Sequence, residues 1–261
     1  MTNFWDTQIK RADELAAHSC GSKELIFFYA QLLRAQKNIY EHFRSRKDWL
    51  PSGDLHRDFF AIHKPLPQLL QAVSFYGPTA LVAEADRLSE AGEHAIEQVL
   101  VAYWDNPSDI QFFPKAILQP YARWLIDSGA RPNCREIANE RICPFCGGNP
   151  QVSCLRVKES SSESGNRDLI CATCLSSWEF RRVVCVSCGE ERPAKLGYFH
   201  SPEFDHIRVE ACDTCKHYIK GVDLTRVGFA EPLVDDIYGA PLDLWAREHG
   251  YRKIELNLVG V

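Results

Sequence analysis

Between residues 4 and 18 the apolar side chains fall at Trp5, Ile9, Ala12, Leu15 and Ala16, a spacing that predicts a helix over Phe4–His18. Beyond Gly21-Ser22 the same period continues through Leu25, Phe28, Tyr29, Leu32, Leu33, Ile39, Tyr40 and Phe43. That predicts a longer helix with Ser22 as its N-cap. The stretch Trp49-Leu50-Pro51-Ser52-Gly53-Asp54 breaks the pattern, and shorter helices are expected up to Gly77. Pro78 suits the first turn of a further helix running to about Trp104 through Leu81, Val82, Leu88, Ile96, Val99, Leu100 and Tyr103. A last helix is expected over Asp109–Ser128, kinked near Pro114 or Pro120 and closed by Gly129. The aromatic residues on these faces are read as core.

Past Arg131-Pro132-Asn133 the helical period stops. Short β-hairpins fit better: Val152–Val157 with Arg167–Ile170 around a tip at Ser160–Asn166, and Ala194–His200 with His206–Glu210. In the tail, Pro241–His249 reads as a short helix closed by Gly250, and Lys253–Val261 as an extended strand or arm. These readings divide the chain into a helical domain over 1–140, two hairpin units over 141–182 and 183–221, and a tail over 222–261.

The hairpin units are where the chemistry lies. Four Cys-x-x-Cys pairs stand at Cys143/Cys146, Cys171/Cys174, Cys185/Cys188 and Cys212/Cys215, separated by 24, 10 and 23 residues. The long-short-long spacing reveals an internal duplication of about 41 residues. Each unit opens on a Cys-x-x-Cys-Gly and carries an Arg four residues before its second pair, Arg167 in one and Arg208 in the other. An aromatic follows the last Cys of each, Trp178 and Tyr218. We therefore assign one tetrathiolate site to Cys143, Cys146, Cys171 and Cys174, and a second to Cys185, Cys188, Cys212 and Cys215. Two facing knuckles place four sulfurs about 2.3 Å from one ion. Gly147 and Gly189 fit the ends of such turns, where positive φ is needed. Leu175 and Lys216 stand at the matching positions of the second pairs, so those turns are less well specified. Units this small bury too little apolar surface to fold without the ion. Tetrahedral sulfur sites suit iron and zinc alike, and both stay open here.

Other uses of the thiols fit less well. No secretion signal is visible at the start of the chain, which argues against disulfides, and no βαβ setting suits a redox pair. Cys20, Cys134 and Cys154 read as small buried apolar residues.

Composition narrows the function. Apolar content of 45% is that of an ordinary globule, and no apolar run is long enough to span a membrane. Reduced thiols point to the cytoplasm. Net charge is −5 and the metal segment is close to neutral, which argues against nucleic acid, since such binders carry a basic stripe. A zinc-ribbon nucleic-acid-binding or regulatory protein remains the alternative reading. There is no Gly-x-Ser-x-Gly, no phosphate-binding loop and no His-Glu-x-x-His, so the expectation is a metal-bearing binding protein rather than an enzyme.

Several segments together resemble the formate dehydrogenase accessory protein family, FdhE. They are Phe112-Phe113-Pro114-Lys115-Ala116-Ile117-Leu118-Gln119-Pro120-Tyr121-Ala122, Cys143-Pro144-Phe145-Cys146-Gly147, and Arg208–Cys215 with Tyr218-Ile219-Lys220. The tail adds Asp235-Asp236, Leu242-Asp243-Leu244-Trp245-Ala246, Gly250-Tyr251 and Asn257-Leu258. The resemblance implies an α+β chain: a helical N-terminal domain, two tandem rubredoxin-like or zinc-ribbon metal modules, and a short C-terminal helix and arm. It implies two tetrathiolate-bound metal ions, with iron favoured and zinc the other candidate. It further implies a cytoplasmic accessory factor that binds the catalytic subunit of a formate dehydrogenase during maturation. Glu210, Asp213, Tyr218 and Lys220 around the last knuckle become candidate docking residues for that client.

Overall fold

The computed structural model describes residues 3–18, 22–107, 111–132, 139–156 and 166–261. Cys20, Cys134 and most of the expected hairpin tip at Ser160–Asn166 lie outside the described residues.

The first two predicted helices form as α1 (Phe4–His18) and α2 (Lys23–Ser45). They pack through Trp5, Ala12 and Leu15 against Ile26, Tyr29, Leu33 and Tyr40, all buried. Ser22 occupies the N-cap position of α2 without capping it. Its hydroxyl donates instead to Tyr238 O at 3.3 Å, so a tertiary bond wins over the local one. Next come α3 (Leu55–Ile62), whose N-cap Asp54 accepts from Arg57 N at 3.3 Å, and α4 (Leu66–Tyr76).

The long helix expected from Pro78 to Trp104 is two helices, α5 (Thr79–Glu90) and α6 (Glu93–Asp105). Ala91 and Gly92 between them take extended backbone, because glycine is a weak helix former and no side chain there repays continuing the turn. Pro78 caps α5 from outside rather than sitting in its first turn.

Helix α7 (Phe112–Asp127) starts after the expected Asp109, which lies outside the described residues, and runs through Pro120. Pro114 falls in its first turn, where an N–H has no helical partner to lose. Its buried face (Phe113, Ala116, Ile117, Tyr121 and Leu125) packs on α2. Tyr121 donates to Asp58 at 2.7 Å, and Gln36 donates to Gln119 at 2.8 Å.

The two hairpin units merge into one sheet. Its strands are β1 (Pro150–Arg156), β2 (Asn166–Cys171), β3 (Ser177–Phe180), β4 (Leu196–His200), β5 (Ile207–Cys212), β6 (His217–Asp223) and β7 (Arg252–Lys253). The order is β3-β2-β1-β6-β5-β4, with β7 added to β6. Each unit is antiparallel within itself, and the two join by parallel pairing of β1 with β6 from Val152↔Lys220 to Leu155↔Asp223. Cys154 is buried on β1, as expected for a small apolar residue.

The tail adds α8 (Pro232–Tyr238), which the apolar pattern did not single out, and α9 (Ala240–Glu248), closed by Gly250 at φ 80°. Of the strand or arm expected over Lys253–Val261 only Lys253 is strand, as the second residue of β7. A turn follows, closed by Val261 N donating to the Asn257 side chain at 3.1 Å.

Buried polar groups fix this tail. Tyr218 donates to Asp243 at 2.7 Å, and Lys220 reaches both Asp243 and Asp236. Lys253 and Asn257 also bond Asp236, at 2.8 and 2.7 Å. Among the described residues no helix is long and apolar enough to cross a membrane.

Candidate metal centres

All eight paired cysteines converge as two groups of four: Cys143, Cys146, Cys171 and Cys174 in site one, and Cys185, Cys188, Cys212 and Cys215 in site two. Within each group every sulfur lies within 4.8 Å of the others. Cys143–Cys174 and Cys146–Cys171 are 3.5 Å apart, and Cys185–Cys215 and Cys188–Cys212 are 3.7 Å apart. Four sulfurs placed tetrahedrally at about 2.3 Å from an ion stand about 3.8 Å from one another, so the donor set fits. Each group could hold a metal ion.

The turns that aim these sulfurs share one conformation. The residue after the second Cys of each pair has positive φ: Gly147 at 74°, Leu175 at 58°, Gly189 at 80° and Lys216 at 59°. Glycine adopts this region freely, whereas Leu175 and Lys216 enter it against a steric cost. All four knuckles are therefore built alike, including the two that lack glycine. Gly147 N donates to Cys143 O and Gly189 N to Cys185 O, each at 2.9 Å, and Lys216 N donates to Cys212 O at 2.8 Å. Backbone N–H groups also point at sulfur, from Phe145 to Cys143 at 3.4 Å and from Thr173 to Cys171 at 3.3 Å.

Site one also depends on residues that the spacing did not reveal. Ser176 Oγ lies 2.9 Å from Cys174 Sγ and 3.3 Å from Cys143 Sγ. A side chain at Gly148 would meet Cys171 Sγ at 3.0 Å, so the second glycine of the Gly147-Gly148 doublet lets the two knuckles approach. Ala122 and Ile126 of α7, with Trp104 and Trp178, pack over the thiols. Gln119 of α7 donates to Ala172 O at 2.9 Å. The glycine doublet was a visible signal, but nothing local marks a tryptophan 39 residues before Cys143 as its neighbour.

In site one Cys143 is pushed down by hydrogen bonds with Cys146, Cys171 and Cys174, while Cys171 is pushed up by burial and by Cys143, Cys146 and Cys174. In site two burial pushes Cys185 up. Burial opposes ionisation of Cys212 too, but N–H groups of Cys215 and Thr214 hold it below the ordinary thiol range. Four thiolates at this spacing repel one another, and a bound cation would offset that repulsion.

Three of the four candidate docking residues face inward. Lys220 is 0% exposed, Tyr218 2%, and both hold the tail through Asp243. The Glu210 carboxylate lies between Arg167 and Arg208. Tyr218 and Lys220 offer no surface to a partner, and Glu210, though only partly buried as a residue, has its carboxylate engaged by the two arginines. Asp213 is exposed, pairing with Lys216 at 2.6 Å and accepting from Tyr251 at 3.0 Å.

Comparison with known proteins follows the same segments. The family profile "FdhE, central domain" matches residues 142–182, and "FdhE, C-terminal domain" matches 183–259. A protein from Aquifex aeolicus described as "Protein FdhE homolog" is 34% identical over 78% of this chain and 71% of its own length. A second of that description, from Stutzerimonas stutzeri, is 28% identical over 81% of this chain and 66% of its own. In fold, the chain is similar to the crystal structure of the FdhE protein from Pseudomonas aeruginosa, with a TM-score of 0.71 over 98% of this chain and 95% of that one at 21% identity. With both cysteine modules and the tail matched, the chain belongs to the FdhE family.

Proposed function

We propose that this chain is an accessory factor for formate dehydrogenase maturation, acting in the cytoplasm by binding the catalytic subunit and not by turning over formate. The observation that carries the reading is the pairing of two four-thiol groups with the motif-bearing tail. Asp236 and Asp243, both in segments that resemble the family, are spent on locking that tail to β6. In this reading the tail and both modules together offer the docking surface.

In this reading Cys143, Cys146, Cys171 and Cys174 hold one ion and Cys185, Cys188, Cys212 and Cys215 another, with iron favoured over zinc. A bound ion supplies folding free energy to its module and, if it is iron, one-electron chemistry. The chain's own contribution is the N–H and hydroxyl groups aimed at sulfur, which fix the thiolates in place. Asp213 is the candidate docking residue left at the surface.

The test is an anaerobic pull-down of the tagged protein from cells growing with formate, with metal analysis of the same sample. Recovery of a formate dehydrogenase catalytic subunit, lost on Cys→Ser change at a knuckle, supports the reading. Recovery of nucleic acid, or of no dehydrogenase, overturns it.

A further inference from the structure

The two cysteine groups differ in one respect that the duplication does not predict. In site one Cys143, Cys171 and Cys174 are each 0% exposed and Cys146 is partly covered, beneath Trp104, Trp178 and α7. In site two Cys185 and Cys212 are buried, Cys215 is partly covered, and Cys188 is exposed. The cause lies in the topology. Site one packs beneath α7 of the helical layer, whereas among the described residues no helix packs on the site-two thiols as α7 does on those of site one.

We propose that Cys188 is a modification site for soluble disulfides, through which site two, and not site one, opens and gives up its ion. The inference rests on the reading that both groups hold metal.

The surroundings suit an anionic disulfide. Arg141 Nη1 donates to Ser187 O at 2.7 Å and lies 3.8 Å from where a side chain on Gly189 would begin, so its guanidinium sits beside the backbone of the two residues that neighbour Cys188. The nearby Glu190 carboxylate is already engaged by Arg192 at 2.7 Å and by Thr214 at 2.6 Å.

The chemistry is thiol–disulfide exchange. The Cys188 thiolate attacks one sulfur of the soluble disulfide, forming a mixed disulfide and expelling one thiolate. Cys212, whose sulfur lies 3.7 Å away, then attacks the Cys188 sulfur and expels the second thiolate. Two protein thiolates are oxidised to a Cys188–Cys212 disulfide, and the soluble disulfide is reduced to two thiols. A bound ion would then keep only Cys185 and Cys215 of its four ligands, and no change in its oxidation state is required.

The test uses the full-length protein loaded with zinc, treated with oxidised glutathione. Zinc release is followed with a chromogenic chelator, and modified cysteines are mapped by alkylation and mass spectrometry. The expected result is release of one zinc per chain with Cys188 modified first, and the second zinc slower by about tenfold or more. Arg141→Gln, which alters no ligand, is expected to slow release by anionic oxidised glutathione and not by cationic cystamine. Two zinc ions released together, or first modification at Cys146, overturn the inference while leaving the metal reading intact. A protein that binds fewer than two zinc ions overturns both.

Discussion

Arg167 and Arg208 occupy the same place in the two halves of the duplication, each four residues before a Cys-x-x-Cys, and both close on the carboxylate of Glu210. Arg167 reaches it across the sheet from β2, and Arg208 from its own strand β5 at 2.7 Å. One acid thus serves two copies of one arginine. The Arg167 side chain is 3% exposed and also donates to Val184 O at 3.1 Å, tying the opening of the second module to the first. Removing the acid strands a buried cation, so Glu210→Ala is expected to cost about 3–5 kcal/mol in chemical denaturation. Arg208→Ala should cost markedly less, because its side chain is more exposed and the Arg167 pair survives. Equal losses for the two variants would count against a shared carboxylate.

Asp235 does for the helical layer what Glu210 does for the sheet. It accepts from Arg11 of α1 at 2.5 and 3.0 Å, from Glu231 N at 2.8 Å, and lies 2.8 Å from His206 Nε2. Burial alone would raise its pKa, but His206 and Arg11 hold it below the ordinary carboxylate range. Asp236 is likewise held down, against burial, by Lys220 and Lys253. A depressed folded-state pKa contributes stability that is present above the unfolded value of about 3.9 and is lost as pH falls through the folded value. Stability is therefore expected to hold through neutral pH and to fall steeply below about pH 4. Asp235→Asn should cost about 3 kcal/mol at pH 7 and flatten that acid slope, read from urea denaturation at several pH values with metal content checked at each. An unchanged slope in the variant would rule out Asp235 as a source of the acid sensitivity.

Much of this was legible from the chain because it rests on local pattern. Phe4–His18 carries its period within itself, and the Cys-x-x-Cys spacing assigns all eight sulfurs to the groups in which they meet. What escaped was set by distant partners. Ser22 looked like a cap until Tyr238 offered its carbonyl, and Lys220 was a candidate docking residue until the tail folded over it. The joining of β1 to β6 left no trace in either strand, because parallel pairing between distant segments imposes no local periodicity of its own. Helix α8 hid behind Asp235 and Asp236, polar residues that turned out to be buried.

The four positive-φ positions give a conformational test of the knuckle geometry. Nothing lies within 4 Å of a side chain added at Gly147, so Gly147→Ala introduces no clash and reports the backbone cost alone. At φ 74° that cost is about 1 kcal/mol, with zinc stoichiometry unchanged. The same substitution at Gly148 is expected to do more damage, since the added carbon would stand 3.0 Å from Cys171 Sγ and 2.9 Å from Thr173 Oγ1. Loss of one metal equivalent in Gly148→Ala but not in Gly147→Ala, measured by metal analysis after dialysis, is the expected pattern. The reverse pattern would mean that φ, not space, limits the turn.

Loss of the ion should propagate differently from the two sites. Site one is continuous with α7: Ala122 and Ile126 pack on its thiols, Gln119 bonds Ala172 O, and Tyr121 of the same helix reaches Asp58 in α3. Site two has no comparable contact with α7 among the described residues, and the apolar residues beside it belong to two small clusters, Val184 and Val186 next to Cys185 and Ala211 next to Cys212. If, as proposed, each module folds around its ion, Cys171→Ser is expected to unravel the floor on which α7 rests and to lower the melting temperature of the helical signal in circular dichroism. Cys212→Ser should leave that signal's midpoint nearly unchanged while still losing one metal equivalent. Limited proteolysis provides the second readout, with new cleavage in the helical region for the first variant and cleavage confined to the second module for the other. Similar melting of the helices in both variants would show that the shared sheet, rather than the contact of α7 with site one, couples the metal centres to the helical layer.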